Sequence, residues 1–271
     1  MKYKLIALDL DGTLKNSNNE ITEKTKKALI QAQELGIKVV LASGRPTPGL
    51  RHEAKALELE KYEGYILSFN GARVVDVKTN ETIYEQTLTI EEAKQAYDRS
   101  KNYDVACITY EDDVIVGEDI DQQYVVLEAE INDIKTKKVN FKDNLKDPIH
   151  KVLLSGQPDY VGTIIDEFKE PFGDRLSIYR SAPFFIEIMA KGIDKAVSLD
   201  RLAKSLGIKQ EEVMAFGDGY NDLSMIEYAG LGVAMANGVD EVKEKANEIT
   251  LSNNEDGIAF TLAKYIEGIE L

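Results

Sequence analysis

Short, mostly apolar runs near both ends of this chain set the strongest limit on its fold. They cover residues 5–8, 37–43 and 65–71 at one end, and 213–218, 231–235 and 248–251 at the other. Helical patterns lie between them. Ala28, Leu29, Ala32 and Leu35 recur at helical spacing over 22–35, with Thr22 placed to cap the start and Gly36 to end it. Stretches 194–206 and 222–229 are likewise closed by Gly207 and Gly230. Near-continuous apolar strands alternating with helices are the pattern of a parallel sheet covered on both faces. The expected fold is therefore α/β, with a doubly wound, Rossmann-like parallel-sheet core.

The middle of the chain has a different texture. Its strand candidates alternate apolar and polar residues, as in CITYEDDVIVGE and RLSIYRSAPFFIEIM, and Asp112-Asp113 sits where a hairpin would turn. Such alternation predicts antiparallel sheet with one face exposed. Helical patterns over 90–101 and 160–168 complete an α+β unit. The parallel-strand pattern resumes only after Gly192. The expected organisation is a core segment at 1–82, an inserted α+β cap domain at 83–189, and a second core segment at 190–271.

In an open parallel sheet, ligands bind beyond the carboxyl ends of the strands. The residues at those ends are Asp9 and Asp11, then Ser43-Gly44-Arg45, then Asn70-Gly71, and last Gly217-Asp218-Gly219-Tyr220-Asn221-Asp222. Clustered carboxylates repel one another, and a hard divalent cation with oxygen ligands relieves that cost. The chain carries 33 Lys and Arg against 48 Asp and Glu, a formal charge of −15. That surface disfavours nucleic acid and anionic lipid, and phosphate as well unless a metal reverses the local field. Phosphoryl transfer would use these groups directly. Asp9 is placed as a nucleophile forming an aspartyl phosphate, Asp11 as acid and then base, and Ser43 with its neighbouring amide as a phosphate cradle.

Four ordered motifs carry a family resemblance: DLDGT after the first strand, SGR after the second, a late lysine opening a helix, and GDGYND. Together they resemble the haloacid dehalogenase-like hydrolases. The place of the insertion, between the second motif and the lysine, looks like the Cof-type phosphatases with their large α/β cap of the C2B type. The resemblance implies Asp9 as nucleophile and Mg²⁺ ligand and Asp11 as acid/base with its carbonyl on the metal. Leu10 then offers only its backbone to phosphate. Ser43, Gly44 and Asn221 bind phosphate, Asp218 binds Mg²⁺, and Asp222 supports the metal shell. The lysine is taken as Lys195 rather than Lys191. It starts the helix and keeps the usual spacing to Gly217-Asp218, although Ala196 stands where the family usually has glycine.

Each of these residues also has a plainer reading. Asp222 would cap the following helix, Arg45 would make a surface ion pair, and Asn70 and Gly71 would shape a loop. His52 and His150 stand apart from every motif, and the single cysteine, Cys107, reads as a core residue of the insertion. No apolar run approaches the roughly 18 residues that span a bilayer, and Asp9 and Asp11 interrupt the place of a signal peptide. The expected setting is cytoplasmic, with no membrane or nucleic-acid partner and no reading of oligomeric state. The expected activity is Mg²⁺-dependent hydrolysis of small phosphate monoesters, with sugar phosphates implied by the resemblance. A phosphomutase and a phosphorylatable, non-enzymatic switch are the rival readings.

Overall fold

The computed structural model describes residues 2–271. The chain forms two compact units, Met1–Tyr84 with Asp194–Leu271, and Glu85–Ile193 inserted between those segments. The first segment holds β1 (Leu5–Leu8), α1 (Glu23–Glu34), β2 (Lys38–Ala42), α2 (Arg51–Ala56), α3 (Leu59–Tyr62), β3 (Tyr65–Ser68), β4 (Arg73–Asp76) and β5 (Thr82–Glu85). The insertion holds α4 (Ile90–Ser100), β6 (Ala106–Glu111), β7 (Val114–Gly117), α5 (Gln123–Asn132), β8 (Lys135–Lys138), β9 (Val152–Ser155), α6 (Pro158–Lys169), β10 (Leu176–Ala182) and β11 (Phe185–Ala190). The last segment holds α7 (Lys195–Ser205), β12 (Val213–Gly217), α8 (Leu223–Tyr228), β13 (Leu231–Ala234), α9 (Asp240–Lys245), β14 (Glu248–Ile249) and α10 (Gly257–Tyr265).

The core sheet runs β14-β13-β12-β1-β2-β3-β4-β5. From β14 to β3 every pairing is parallel, and β4 then folds back antiparallel onto β3. Successive side chains of a strand point to opposite faces, and the burial divides accordingly. Ile6 and Leu8 join Val39, Leu41, Met214 and Phe216 in one apolar cluster, with residues of α1 and α10. Leu5 and Ala7 join Val40, Ala42, Val213 and Ala215 in the other, with Leu199 and Leu202 of α7, Met225 of α8 and Val242 of α9. Helices therefore cover both faces, as a doubly wound sheet requires.

The strand expected over 65–71 stops at Ser68. Phe69 (φ 51°), Asn70 (φ 52°) and Gly71 (φ 102°) all enter the left-handed region, which breaks the extended run and turns the chain at the sheet edge. β4 and β5 follow, two strands that the apolar pattern did not single out. At the start of α1, Thr22 accepts the Thr25 amide with its side chain, and Gly36 past its end has φ 88°, the cap geometry that these residue types favour.

The inserted unit has its own six-stranded sheet, in the order β10-β11-β9-β6-β7-β8. It is antiparallel except for the β7–β8 pair, which α5 joins as a crossover. Asp112, with φ 51°, turns the β6–β7 hairpin. Cys107, Val152, Leu154, Ile186 and Ile188 form its core with apolar residues of α4 and α6. The exposed second face expected from alternation is not found at the centre: β9 and β11 are buried along their whole length. A polar network occupies that side instead. Lys151 Nζ donates to Glu187 (3.1 Å), Tyr179 to Glu187 (2.8 Å), and Tyr110 to Glu128 (2.6 Å). Among the described residues no helix is long and apolar enough to cross a membrane.

Phe216 is fully buried one residue before the glycine that ends β12. Phe216→Ala is expected to cost about 3–5 kcal/mol, as large-to-small core changes do, measured as a lower urea midpoint at unchanged slope.

Candidate active site

Parallel pairing carries the ends of five strands, β1, β2, β3, β12 and β13, to one edge. The Asp9 amide donates to the Phe216 carbonyl (3.0 Å), Ser43 to Leu67 (2.9 Å), and Met235 to Gly217 (3.0 Å). Each bond extends a parallel pair by one residue before the chain turns away, so the loops leave together. α7 then brings its first residue, Lys195, to the same edge.

Lys195 is 1% exposed, and its ammonium donates to Asp9 Oδ1 at 2.7 Å and to Asp222 Oδ1 at 2.6 Å. Asp9, Asp218 and Asp222 each offer a carboxylate oxygen, all within 4.8 Å of one another. Burial raises the Asp9 carboxyl well above the usual range, repulsion from Asp222 adds to it, and Lys195 only partly offsets both. Asp218 is also raised, chiefly by burial and by Asp222, against a hydrogen bond from Thr13. For Lys195, burial works against the charge, but Asp222 and Asp9 outweigh it and hold the amine above its ordinary value. Three carboxylates thus face one ammonium, and negative charge is left over. An all-oxygen donor set with excess negative charge fits a hard divalent cation, and Asp9, Asp218 and Asp222 are the side chains that would hold it.

Asp222 does not cap α8. Its Oδ2 accepts the amides of Asp218 and Gly219, each at 3.0 Å, and so closes the loop that precedes the helix. A Cβ on Gly217 would lie 2.5 Å from the Asp222 Cβ, and one on Gly12 (φ 87°) would lie 2.3 Å from Asp218 Oδ2. Both glycines therefore permit a carboxylate to approach the backbone.

Asp11 lies outside this triad. Its carboxylate is gripped by Arg45, Nε to Oδ2 at 2.8 Å and Nη2 to Oδ1 at 2.6 Å. The Arg45 side chain is only 13% exposed while that of Asp11 is 53% exposed, so the ion pair weighed from the sequence is present as a bidentate one, half open to solvent at the edge of the site. The Arg45 amide donates to Ser43 Oγ (3.2 Å), and the Arg45 carbonyl accepts Phe69 N (2.9 Å). Asn70 Oδ1 accepts Asn221 Nδ2 (3.1 Å), and a Cβ on Gly44 would crowd Asn70 Nδ2 at 3.1 Å. Ser198 of α7 donates to the Gly71 carbonyl (2.7 Å), which ties the 69–71 loop to the helix that carries Lys195. The Leu10 side chain is fully buried in the core, so only its backbone faces this edge.

Lys191 is exposed and belongs to the inserted unit. His52 is exposed, His150 pairs with Glu85 at 3.2 Å, and burial pushes the Cys107 thiol up to about 12. Two contributors escaped the sequence reading. Thr13 donates to Asp218 Oδ1 (2.7 Å), and Asn237 Nδ2 donates to the Gly12 carbonyl (2.8 Å). Asn237 closely follows β13, so the same rule of strand ends, applied one strand further, would have reached it.

Comparison with known proteins agrees with this arrangement. The family of haloacid dehalogenase-like hydrolases matches residues 6–262. The chain is 33% identical over 269 residues to 5-amino-6-(5-phospho-D-ribitylamino)uracil phosphatase YitU of Bacillus subtilis, covering 97% of this chain and 98% of that protein. A crystal structure of a haloacid dehalogenase-like hydrolase from Bacteroides thetaiotaomicron superposes with a TM-score of 0.93 at 41% identity, covering 97% and 99% of the two chains. The subclass IIB sugar phosphatase BT4131 superposes with a TM-score of 0.79 at 26% identity, covering 97% and 98%. With five strand ends gathered at one edge and relatives matched along nearly their whole length, this chain belongs to the haloacid dehalogenase-like hydrolases, in their Cof-type branch, and is a phosphatase.

Proposed function

We propose that this phosphatase is Mg²⁺-dependent and hydrolyses small phosphate monoesters, sugar phosphates foremost, through a phosphorylated Asp9. The observation that supports it most is the buried Lys195 ammonium between Asp9 and Asp222, with Asp218 completing an oxygen-only set. YitU is named for a phosphate on a ribityl chain and BT4131 for sugar phosphates. Both names point to a phosphate carried on a small polyhydroxylated group.

In the first step an Asp9 carboxylate oxygen bonds to phosphorus, the ester P–O bond breaks, and the departing alkoxide takes a proton from Asp11. In the second, water attacks the phosphorus of the aspartyl phosphate, its proton passes to Asp11, and the Asp9 carboxylate is released with inorganic phosphate. Lys195 orients Asp9 by holding Oδ1 and neutralises charge on the phosphoryl group. Ser43, the backbone of Leu10 and Gly44, and Asn221 donate to the phosphoryl oxygens. Asn70 and Gly71 shape the wall beside them, and Arg45 anchors Asp11. Magnesium, held by Asp9, Asp218, Asp222 and the Asp11 carbonyl, would supply positive charge against the phosphoryl oxygens. The inserted unit is assigned the task of distinguishing leaving groups.

Asp9→Asn is expected to lower phosphate release by roughly a thousandfold or more, since the nucleophile is gone. Asp11→Asn is expected to lower it roughly 10²–10⁴-fold, the range for an acid/base group. Retained turnover in Asp9→Asn, measured as phosphate released from a panel of sugar phosphates, would sink the nucleophile assignment. Chelation with EDTA is expected to abolish turnover and added Mg²⁺ to restore it; activity that survives chelation refutes the metal dependence. Lys195→Met leaves buried carboxylates without their ammonium, and about 3–5 kcal/mol of stability is expected to be lost, read from urea unfolding in metal-free buffer.

A further inference from the structure

A second ion pair joins the same two segments as the Asp11–Arg45 grip, with its polarity reversed. Lys15 Nζ donates to Glu53 Oε1 at 2.9 Å, and the two side chains are 8% and 5% exposed. Lys15 ends a loop that closes on itself: Leu14 N donates to the Asp9 carbonyl (3.2 Å) and Lys15 N to the Leu10 carbonyl (2.9 Å). Asp9 and Asp11 both belong to this loop. Glu53 lies on α2, in the segment that follows β2 and carries Arg45. Its Oε1 also lies 3.5 Å from Nδ1 of the exposed His52.

Apolar residues flank both partners, namely Leu14, Leu50, Ala54 and Leu57. Hydrophobic replacement of a buried ion pair in such surroundings is often neutral or stabilising, because desolvation offsets the attraction. Stability therefore gives this pair no clear reason to exist. What an ion pair adds is a directional link of set length, here between the loop of Asp11 and the segment of Arg45. On the other side Asn237 Nδ2 holds the Gly12 carbonyl and Asn253 Nδ2 the Lys15 carbonyl, both at 2.8 Å.

From this geometry we infer that Lys15 and Glu53 are positioning residues for the acid/base: together they set the register in which the Asp11 carboxylate meets Arg45 and the leaving group. This inference rests on Asp11 being the proton donor of the reaction proposed above.

The test compares kcat/KM for an alkyl ester, glycerol 3-phosphate, and an aryl ester, p-nitrophenyl phosphate, whose phenolate leaves without a proton. kcat/KM reports the steps up to alcohol release, so hydrolysis of the aspartyl phosphate does not enter. In the double variant Lys15→Met/Glu53→Leu, kcat/KM on the alkyl ester is expected to fall about ten- to a hundredfold, the scale of an ångström-sized misplacement. The aryl ester is expected to be spared, with the thermal midpoint kept. Equal losses on both esters, or no loss on either, overturn the inference. Should that variant not fold, the charge-reversed pair Lys15→Glu/Glu53→Lys is compared with Lys15→Glu alone. Recovery of alkyl-ester kcat/KM in the reversed pair supports the inference, and its absence refutes it. Failure of the underlying assignment shows separately, as an Asp11→Asn variant that keeps alkyl-ester kcat/KM or loses it equally on both esters.

Discussion

One buried ammonium carries the electrostatics of this site. Lys195 stands between Asp9 and Asp222, while Asp218 adds a third carboxylate within the same few ångströms. Bringing such groups together out of water is costly, and one cation does not balance three anions. The strain falls mainly on Asp9, whose carboxyl is held well above its ordinary range by burial and by Asp222. A fold keeps an arrangement of this kind when its geometry is over-determined from outside. Here the sheet supplies that constraint.

The over-determination is visible loop by loop. Asp222 closes its own loop through the amides of Asp218 and Gly219. Thr13 reaches across from the first strand's loop to Asp218, and Asn237 reaches back to the Gly12 carbonyl. Arg45 spans from the second loop to Asp11, while its carbonyl receives the Phe69 amide at the start of the left-handed turn. Each strand end is thereby tied to a neighbour by at least one polar contact. Glycines at 12 and 217 leave room for the carboxylates at the closest approaches. The result is a rigid frame around charges that would otherwise move apart.

Much of this was legible from residues alone. The apolar runs predict a parallel sheet covered on both faces, and the strand-end rule gathers Asp9, Ser43, Asn70 and Asp218 from their positions in the sequence alone. The same reading ran β3 on to Gly71, because Phe69 and Asn70 look like strand continuation and their positive φ values come from long-range hydrogen bonds to Ser43 and Arg45. Beside its part in the metal shell, it weighed Asp222 as a helix cap, because a carboxylate ahead of a helix often is one. The amides that Asp222 accepts belong instead to the preceding loop. It also overlooked the polar network of the inserted unit, where Lys151, one residue before β9, and Glu187 of β11 are both buried.

The sequence by itself determined which residues share the reactive edge, because a parallel sheet has one polarity and its apolar strands announce themselves locally. It also determined where the chain turns tightly, since Gly12 and Gly36 stand at positions that favour residues without a side chain. Only the tertiary structure decided who pairs with whom: Lys195 with both Asp9 and Asp222, Arg45 with Asp11, Lys15 with Glu53. The reason is that an ion pair depends on distance and burial between segments far apart in the chain. Those quantities follow from how the helices settle on the sheet, and residue spacing does not encode them.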